Sequence, residues 1–147
     1  MSYKNSLVQL IVTLLPAIAQ CADPPEPTPL HIQVVNQAAD NVGDRLVSQV
    51  KEKIRESHSM KLVPDNKQER CVRLIITTAD KEPNSEELKG NATIFSAIWV
   101  ILVENDLSHP RFLGSTTGSC GGKQVTETAA NIVAQTDRIV NSKVPQP

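Results

Sequence analysis

The segment from Ala92 to Glu104 is apolar at its odd-numbered and at its even-numbered positions. This property most constrains how the chain folds. The odd positions include Phe95, Ala97, Trp99, Ile101 and Val103, and the even positions include Ile94, Ser96, Ile98, Val100 and Leu102. Successive side chains of a strand point to opposite faces, so this strand is apolar on both sides of its sheet. The fold must therefore cover both sides or leave one of them apolar.

Two amphipathic helices are predicted to cover a sheet. The first runs from about Gln37 to Ser57, and the second from about Gln124 to Asn141. Apolar residues recur every three to four positions in both segments, which gives each helix one apolar face. Asn36 or Asp40 can cap the first helix. Gly43 lies on this helix and can allow it to sit close to the sheet.

The remaining apolar segments alternate as strands, and they give the element order β-α-β-β-β-β-α. The strands are predicted at Leu30–Val35, Met60–Val63, Cys71–Thr78, Ala92–Glu104 and Phe112–Gly118. Short turns join the late strands, so we expect an α+β two-layer sandwich: a mostly antiparallel sheet of about five strands with both helices on one face. This order resembles that of small bacterial envelope proteins, such as the lipopolysaccharide-assembly lipoprotein and the amino-terminal domain of the Tol-system propeller protein. The resemblance is one of topology alone.

The amino terminus has the pattern of an export leader. Lys4 precedes an apolar run that ends in Ala17-Ile18-Ala19, a small-x-small cleavage pattern. We expect a signal peptide at 1–19, a proline-rich spacer at 20–29, one domain at 30–142 and a disordered tail at 143–147. The apolar run is too short to span a bilayer. Lipidation of Cys21 is the less favoured alternative to a periplasmic or secreted product, because Gln20 before it is not small.

Composition and charge exclude several classes of partner. The chain has 15 basic and 16 acidic residues, with a formal net charge of −1. The basic residues are scattered, which argues against nucleic acid. The histidines are isolated from other potential ligands, so no metal or cofactor is expected. The partners that remain are a second copy of the chain, another envelope protein or a lipid-like ligand.

The three cysteines are Cys21, Cys71 and Cys120. Export permits disulfides, and Cys71 and Cys120 are the candidate pair. In a simple meander, however, a third strand separates them by about 9.6 Å, beyond the roughly 7 Å limit on Cα separation. The bond therefore requires a different sheet order or a Cys120 that lies past its strand. Cys21 is then free, lipidated or bonded to another chain.

The glycine-rich turn around Cys120 raises a question of catalysis. Gly118-Ser119-Cys120-Gly121-Gly122 resembles the nucleophile turn of chymotrypsin-like viral cysteine proteases, which implies a remote alternative as a cysteine hydrolase. That family needs two barrels, for which this chain is too short. The sequence therefore predicts no enzyme.

An apolar stripe should remain on the side of the sheet that the helices do not cover. If the odd face of the long strand points outward, Phe95, Trp99, Ile101 and Val103 form the interaction surface, because large aromatics dominate interface energetics. If it faces the helices, Trp99 is a core residue. The long strand could also project as an edge. We expect an exported, non-enzymatic interaction or scaffold module of the bacterial envelope, with a carrier of a lipid or other apolar ligand as the alternative.

Overall fold

The computed structural model describes residues 28–64, 70–103 and 106–144. Its elements are β1 (Leu30–Gln37), α1 (Asn41–Arg55), β2 (Met60–Val63), β3 (Cys71–Asp80), β4 (Ala92–Val103), β5 (Asp106–Gly121) and α2 (Val125–Lys143). This order and the α+β class confirm the sequence prediction. The predicted signal peptide, Cys21 and the spacer up to residue 27 lie outside the described residues.

The sheet is open and mixed, with the strand order β2-β1-β3-β4-β5. β1 pairs in parallel with both β2 and β3, whereas β3, β4 and β5 pair antiparallel. The β1–β2 pair is parallel because α1 forms a crossover that returns the chain to the same end of the sheet. The β1–β3 pair is parallel because β3 runs in the same direction on the other side of β1. The sheet is therefore less antiparallel than expected. The prediction that the long strand β4 projects as an edge is wrong, since β3 and β5 flank it.

Helix α1 lies close to the sheet at its amino end. Asp40 caps the helix, and its Oδ1 accepts a hydrogen bond of 2.8 Å from the backbone N–H of Gly43. A Cβ at Gly43 would stand 1.9 Å from Oγ1 of Thr78 on β3. Only glycine permits this approach, which confirms the packing role expected of Gly43.

Helix α2 closes the same side of the sheet over β5. Near its end, Nζ of Lys143 donates a hydrogen bond of 2.6 Å to the carbonyl of Leu113 on β5. Val144 follows and is only 6% exposed within the core. The predicted disordered tail is therefore wrong at 143 and 144, because this last turn is anchored by packing and by a hydrogen bond.

Candidate interaction surface

The odd-numbered face of β4 points toward the helices. Trp99 is 0% exposed, Phe95 is 8% exposed and Ile101 is 7% exposed. The indole Nε1 of Trp99 donates a hydrogen bond of 2.8 Å to Oγ1 of Thr136 on α2. The odd-numbered face therefore does not point outward, as an interaction surface centred on Trp99 would require. These three side chains belong to the core. The side chain of Val103 lies outside the described residues.

The even-numbered face of β4 belongs to the other side of the sheet, here called the open face. Ile98 pairs with Ile75 on β3, and Ile75 pairs in turn with Val35 on β1. All three are half-buried. Paired residues on one face are close enough for their side chains to touch. An apolar row therefore crosses three strands on the side that neither helix covers.

A β-bulge in β5 adds an aromatic side chain to this row. Trp99 pairs with Gly114, but the next residue, Val100, pairs with Phe112. Leu113 is the extra residue, and it turns into the core at 6% exposure. Without the bulge, Phe112 would lie on the helix-facing side of the sheet, as Gly114 does. The bulge instead directs Phe112 outward, where it is 66% exposed.

These side chains define the apolar patch of the open face. Its members are the half-buried or exposed apolar side chains of β1, β3, β4 and β5: Val35, Ile75, Ile94, Ile98, Val100 and Phe112. Ile94 is 50% exposed and lies toward the start of β4. Ser96 lies between Ile94 and Ile98 on this face, so the other five residues form the contiguous part of the patch. Isolated exposed apolar residues are ordinary, whereas a contiguous apolar group marks a contact surface in many proteins.

Polar side chains border the apolar patch on the β1 and β3 side. Nε of Arg73 donates a hydrogen bond to Oε1 of Gln33, and Nε2 of Gln33 reaches the carbonyl of Pro64 at 3.4 Å. Oγ1 of Thr77 donates to Oε1 of Gln37 at 2.9 Å. These bonds hold the polar groups against one another along the border. A partner that covers the patch would therefore desolvate apolar side chains without breaking these hydrogen bonds.

The sheet register separates the two candidate disulfide cysteines. Cys71 pairs with Leu102 near the end of β4, and Cys120 pairs with Thr93 near its start. The two positions are about 30 Å apart along the strand, far beyond disulfide reach. They also lie on opposite faces, since Cys71 packs with Leu102 on the open face and Cys120 belongs to the core beneath the helices. The predicted Cys71–Cys120 bond is therefore wrong.

Cys120 is not placed for the hydrolase alternative. Its thiol is fully buried and donates a hydrogen bond of 3.4 Å to the carbonyl of Gly121. His31 is the second residue of β1 and His58 follows the last turn of α1, both at the end of the sheet away from Cys120. His109 precedes Cys120 on the same strand by about 36 Å of extended chain. A general base must lie within hydrogen-bond reach of the nucleophile, and these histidines do not.

The pKa of Asp40 lies below its ordinary value. Burial acts to raise its pKa, but hydrogen bonds from the Gly43 backbone, from the hydroxyls of Thr93 and Thr78 and from the Val42 backbone together lower it. Both hydroxyls donate to Oδ2 at 2.8 Å. The carboxylate joins α1 to β3 and β4, so its role is structural.

Within the described ranges, His, Cys, Asp and Glu side chains form no group of three that could hold a metal ion. Across the same residues, neither helix is long and apolar enough to cross a bilayer.

Comparison with known proteins gives a likeness of fold. No protein-family model matches the chain, and no curated protein matches it significantly. A solved structure of a Xanthomonas campestris protein of family DUF330 is similar, with a TM-score of 0.51 at 13% identity, over 81% of this chain and 91% of that chain. A minor lipoprotein from Acinetobacter baumannii (TM-score 0.37, 15% identity) covers 74% of this chain and 92% of its own. Rare lipoprotein B from Shewanella oneidensis (TM-score 0.33, 15% identity) covers 75% and 92%. At this identity the first likeness shows the fold alone, and the two lipoproteins are too distant to add to it.

Proposed function

We propose that this chain is an exported, non-enzymatic interaction module of the bacterial envelope, which docks a protein through the apolar patch of its open face. The observation that carries the proposal is the uncovered row formed by Val35, Ile75 and Ile98, extended by the outward Phe112. Aromatic side chains that become fully desolvated contribute most to interface energy. Phe112 therefore takes the anchoring role that sequence reasoning assigned to Trp99.

The leader pattern at residues 1–19 supports the envelope location. Intact-mass analysis of the protein recovered from a bacterial host tests this part directly. We expect a product that begins after Ala19 and carries no acyl chain. A product whose amino-terminal Cys21 is diacylated would replace the periplasmic location with a lipid anchor, and a full-length cytosolic product would contradict export.

The packing between the two layers favours interaction over carriage. A lipid carrier needs an internal apolar cavity, but the space between sheet and helices is filled by side chains that are 0% exposed, among them Leu46, Leu74, Ile76 and Trp99. The burial of Cys120 and its distance from the histidines likewise support a module without hydrolase chemistry.

A single charge on the apolar patch tests the docking proposal. Ile98→Glu places a carboxylate in the apolar patch, between Ile75 and Val100, where burial against a partner would desolvate it. Asn131→Glu adds the same charge to an exposed position of α2, on the other side of the molecule. In native gels of gently extracted envelope, we expect the wild-type chain and the Asn131 variant in a complex and the Ile98 variant as a monomer. A monomeric wild-type chain would contradict the proposal.

A further inference from the structure

A second surface lies at the β2 edge of the sheet, and none of its lining residues belongs to the apolar patch. It is a groove of about 650 Å³ between the last turns of α1 and the edge strand β2. The groove follows β2 from Pro29 and His58 at one end to Pro64 at the other. On the α1 side its lining is apolar and comes from Val34, Met60 and Leu62, whereas Val63 lines the groove from the other face of β2.

The rim of the groove is basic. Lys51 and Arg55 project from successive turns of α1, Lys61 projects from β2, and His58 lies at the end of the groove. Among its described lining residues there is no aspartate or glutamate. Arg55 pairs with Glu52 outside this lining, but both side chains are more than half exposed, at 53% and 57%, so the pair is weak.

β2 is also an exposed strand edge. Among the described strands it pairs only with β1, in a parallel register from Leu30↔Met60 to Gln33↔Val63. Within residues 28–64, 70–103 and 106–144, no strand pairs with its outer side, and an unpaired strand edge can accept another strand. β2 has four residues and spans about 13 Å, which matches a short extended peptide.

We propose that this groove binds an extended acidic peptide, which adds as a strand to the edge of β2. Main-chain hydrogen bonds to β2 would supply affinity, and alternate side chains would contact the apolar lining. Carboxylates on the α1 face of such a peptide would then meet Lys51 and Arg55, and carboxylates on its other face would meet Lys61, which points away from α1. A small anion would contact one of these spread charges, whereas an extended acidic segment reaches all of them, so charge complementarity favours the peptide.

Fluorescence anisotropy on the mature full chain tests the proposal with defined probes. The first probe is a labelled, capped six-residue peptide in which valine and glutamate alternate. The second replaces each glutamate by lysine, and the third keeps the glutamates but carries N-methyl groups on alternate backbone amides. We expect saturable binding of the first probe that weakens with added salt. Binding of the lysine and N-methylated probes should be weaker by about tenfold or more.

Variants then locate the site. The double substitution Lys51→Glu with Lys61→Glu should weaken binding of the acidic probe by about tenfold or more, since it reverses two rim charges. Lys53→Glu is the matched control, because Lys53 lies on the same helix outside the groove, and it should bind like the wild type. If circular dichroism shows that the double variant does not fold, the binding of the three probes to the wild-type chain still tests the proposal.

Several results would overturn the proposal. These are the absence of binding, equal binding of the lysine probe, and equal binding of the N-methylated probe. Binding of a fatty acid such as decanoate, without any binding of the acidic peptide, would make the groove a small-ligand site. That result would also overturn the proposal. None of these results bears on the apolar patch, so the two proposals fail separately.

Discussion

Trp99 and Thr136 form the polar contact that locks α2 onto the sheet. The indole N–H of Trp99 donates to the Thr136 hydroxyl at 2.8 Å, and that hydroxyl donates to the carbonyl of Ile132 at 2.9 Å. Both side chains are 0% exposed. A buried donor keeps its stabilising effect only while its acceptor remains, so this contact fixes the rotation of α2 over β4.

Thr136→Val should destabilise the fold by about 1–3 kcal/mol, because it leaves the Trp99 indole N–H buried without an acceptor. Threonine and valine have nearly the same shape, so the change in the free energy of unfolding reports the lost hydrogen bond. Thr126→Val, at an exposed position of the same helix, is the control. Urea unfolding followed by tryptophan fluorescence measures both. Equal stability of the two variants would show that the contact contributes nothing.

Gly43→Ala should destabilise the fold by about 1–3 kcal/mol, although alanine is the better helix former. The new Cβ would collide with Thr78, whose Oγ1 stands 1.9 Å away, and would displace that hydroxyl from Asp40. Gly122→Ala is the matched control, because its Cβ would find its nearest neighbour, a nitrogen of Arg45, at 3.5 Å. The control should change the free energy of unfolding by less than about 0.5 kcal/mol. A neutral Gly43→Ala would contradict the close packing of α1.

Asp40 should make stability depend on acidic pH. Its folded pKa lies below the ordinary value of 3.8, so its stabilising effect is complete above that value and is lost as the pH falls through the folded pKa. The wild-type chain should therefore exceed Asp40→Asn in unfolding free energy at neutral pH, with the difference shrinking below pH 3.8. Thr93→Val removes one donor to the carboxylate, so in this variant the stabilising effect should be smaller and its loss should be complete at a higher pH. A wild-type-to-Asn difference that stays constant down to about pH 2 would contradict this account.

Element order was predictable from periodicity, whereas the side that β4 turns to the helices was not. Both parities of β4 are apolar, so alternation alone could not decide whether Trp99 or Ile98 faces α2. The decision depends on which face the helices cover, which is a tertiary property. Trp99 needs a buried acceptor for its indole, and Thr136 on the apolar stripe of α2 was the one available signal.

Phe112 was missed for a different reason. Simple alternation along β5 places it on the same face as Gly114, toward the helices. One extra residue, Leu113, reverses that parity, and a period-two pattern cannot represent a bulge. Glycine inside a strand often accompanies a bulge, so Gly114 was the sequence feature that could have indicated it.

Peptide mapping under non-reducing conditions should yield no peptide that links Cys71 to Cys120. The register holds them about 30 Å apart on opposite faces of the sheet. Alkylation of the thiols before digestion prevents exchange, and a reduced sample provides the control. A linked peptide from the natively folded protein would contradict the strand order β3-β4-β5.

Site-specific photo-crosslinking in living cells tests the proposed docking surface most directly. A photoreactive residue at position 98 stands in the middle of the apolar patch, and one at the exposed position 138 on α2 is the control. We predict a discrete crosslinked protein band from position 98 that is absent from position 138. Equal bands from both positions, or no band from position 98, would contradict docking through the open face.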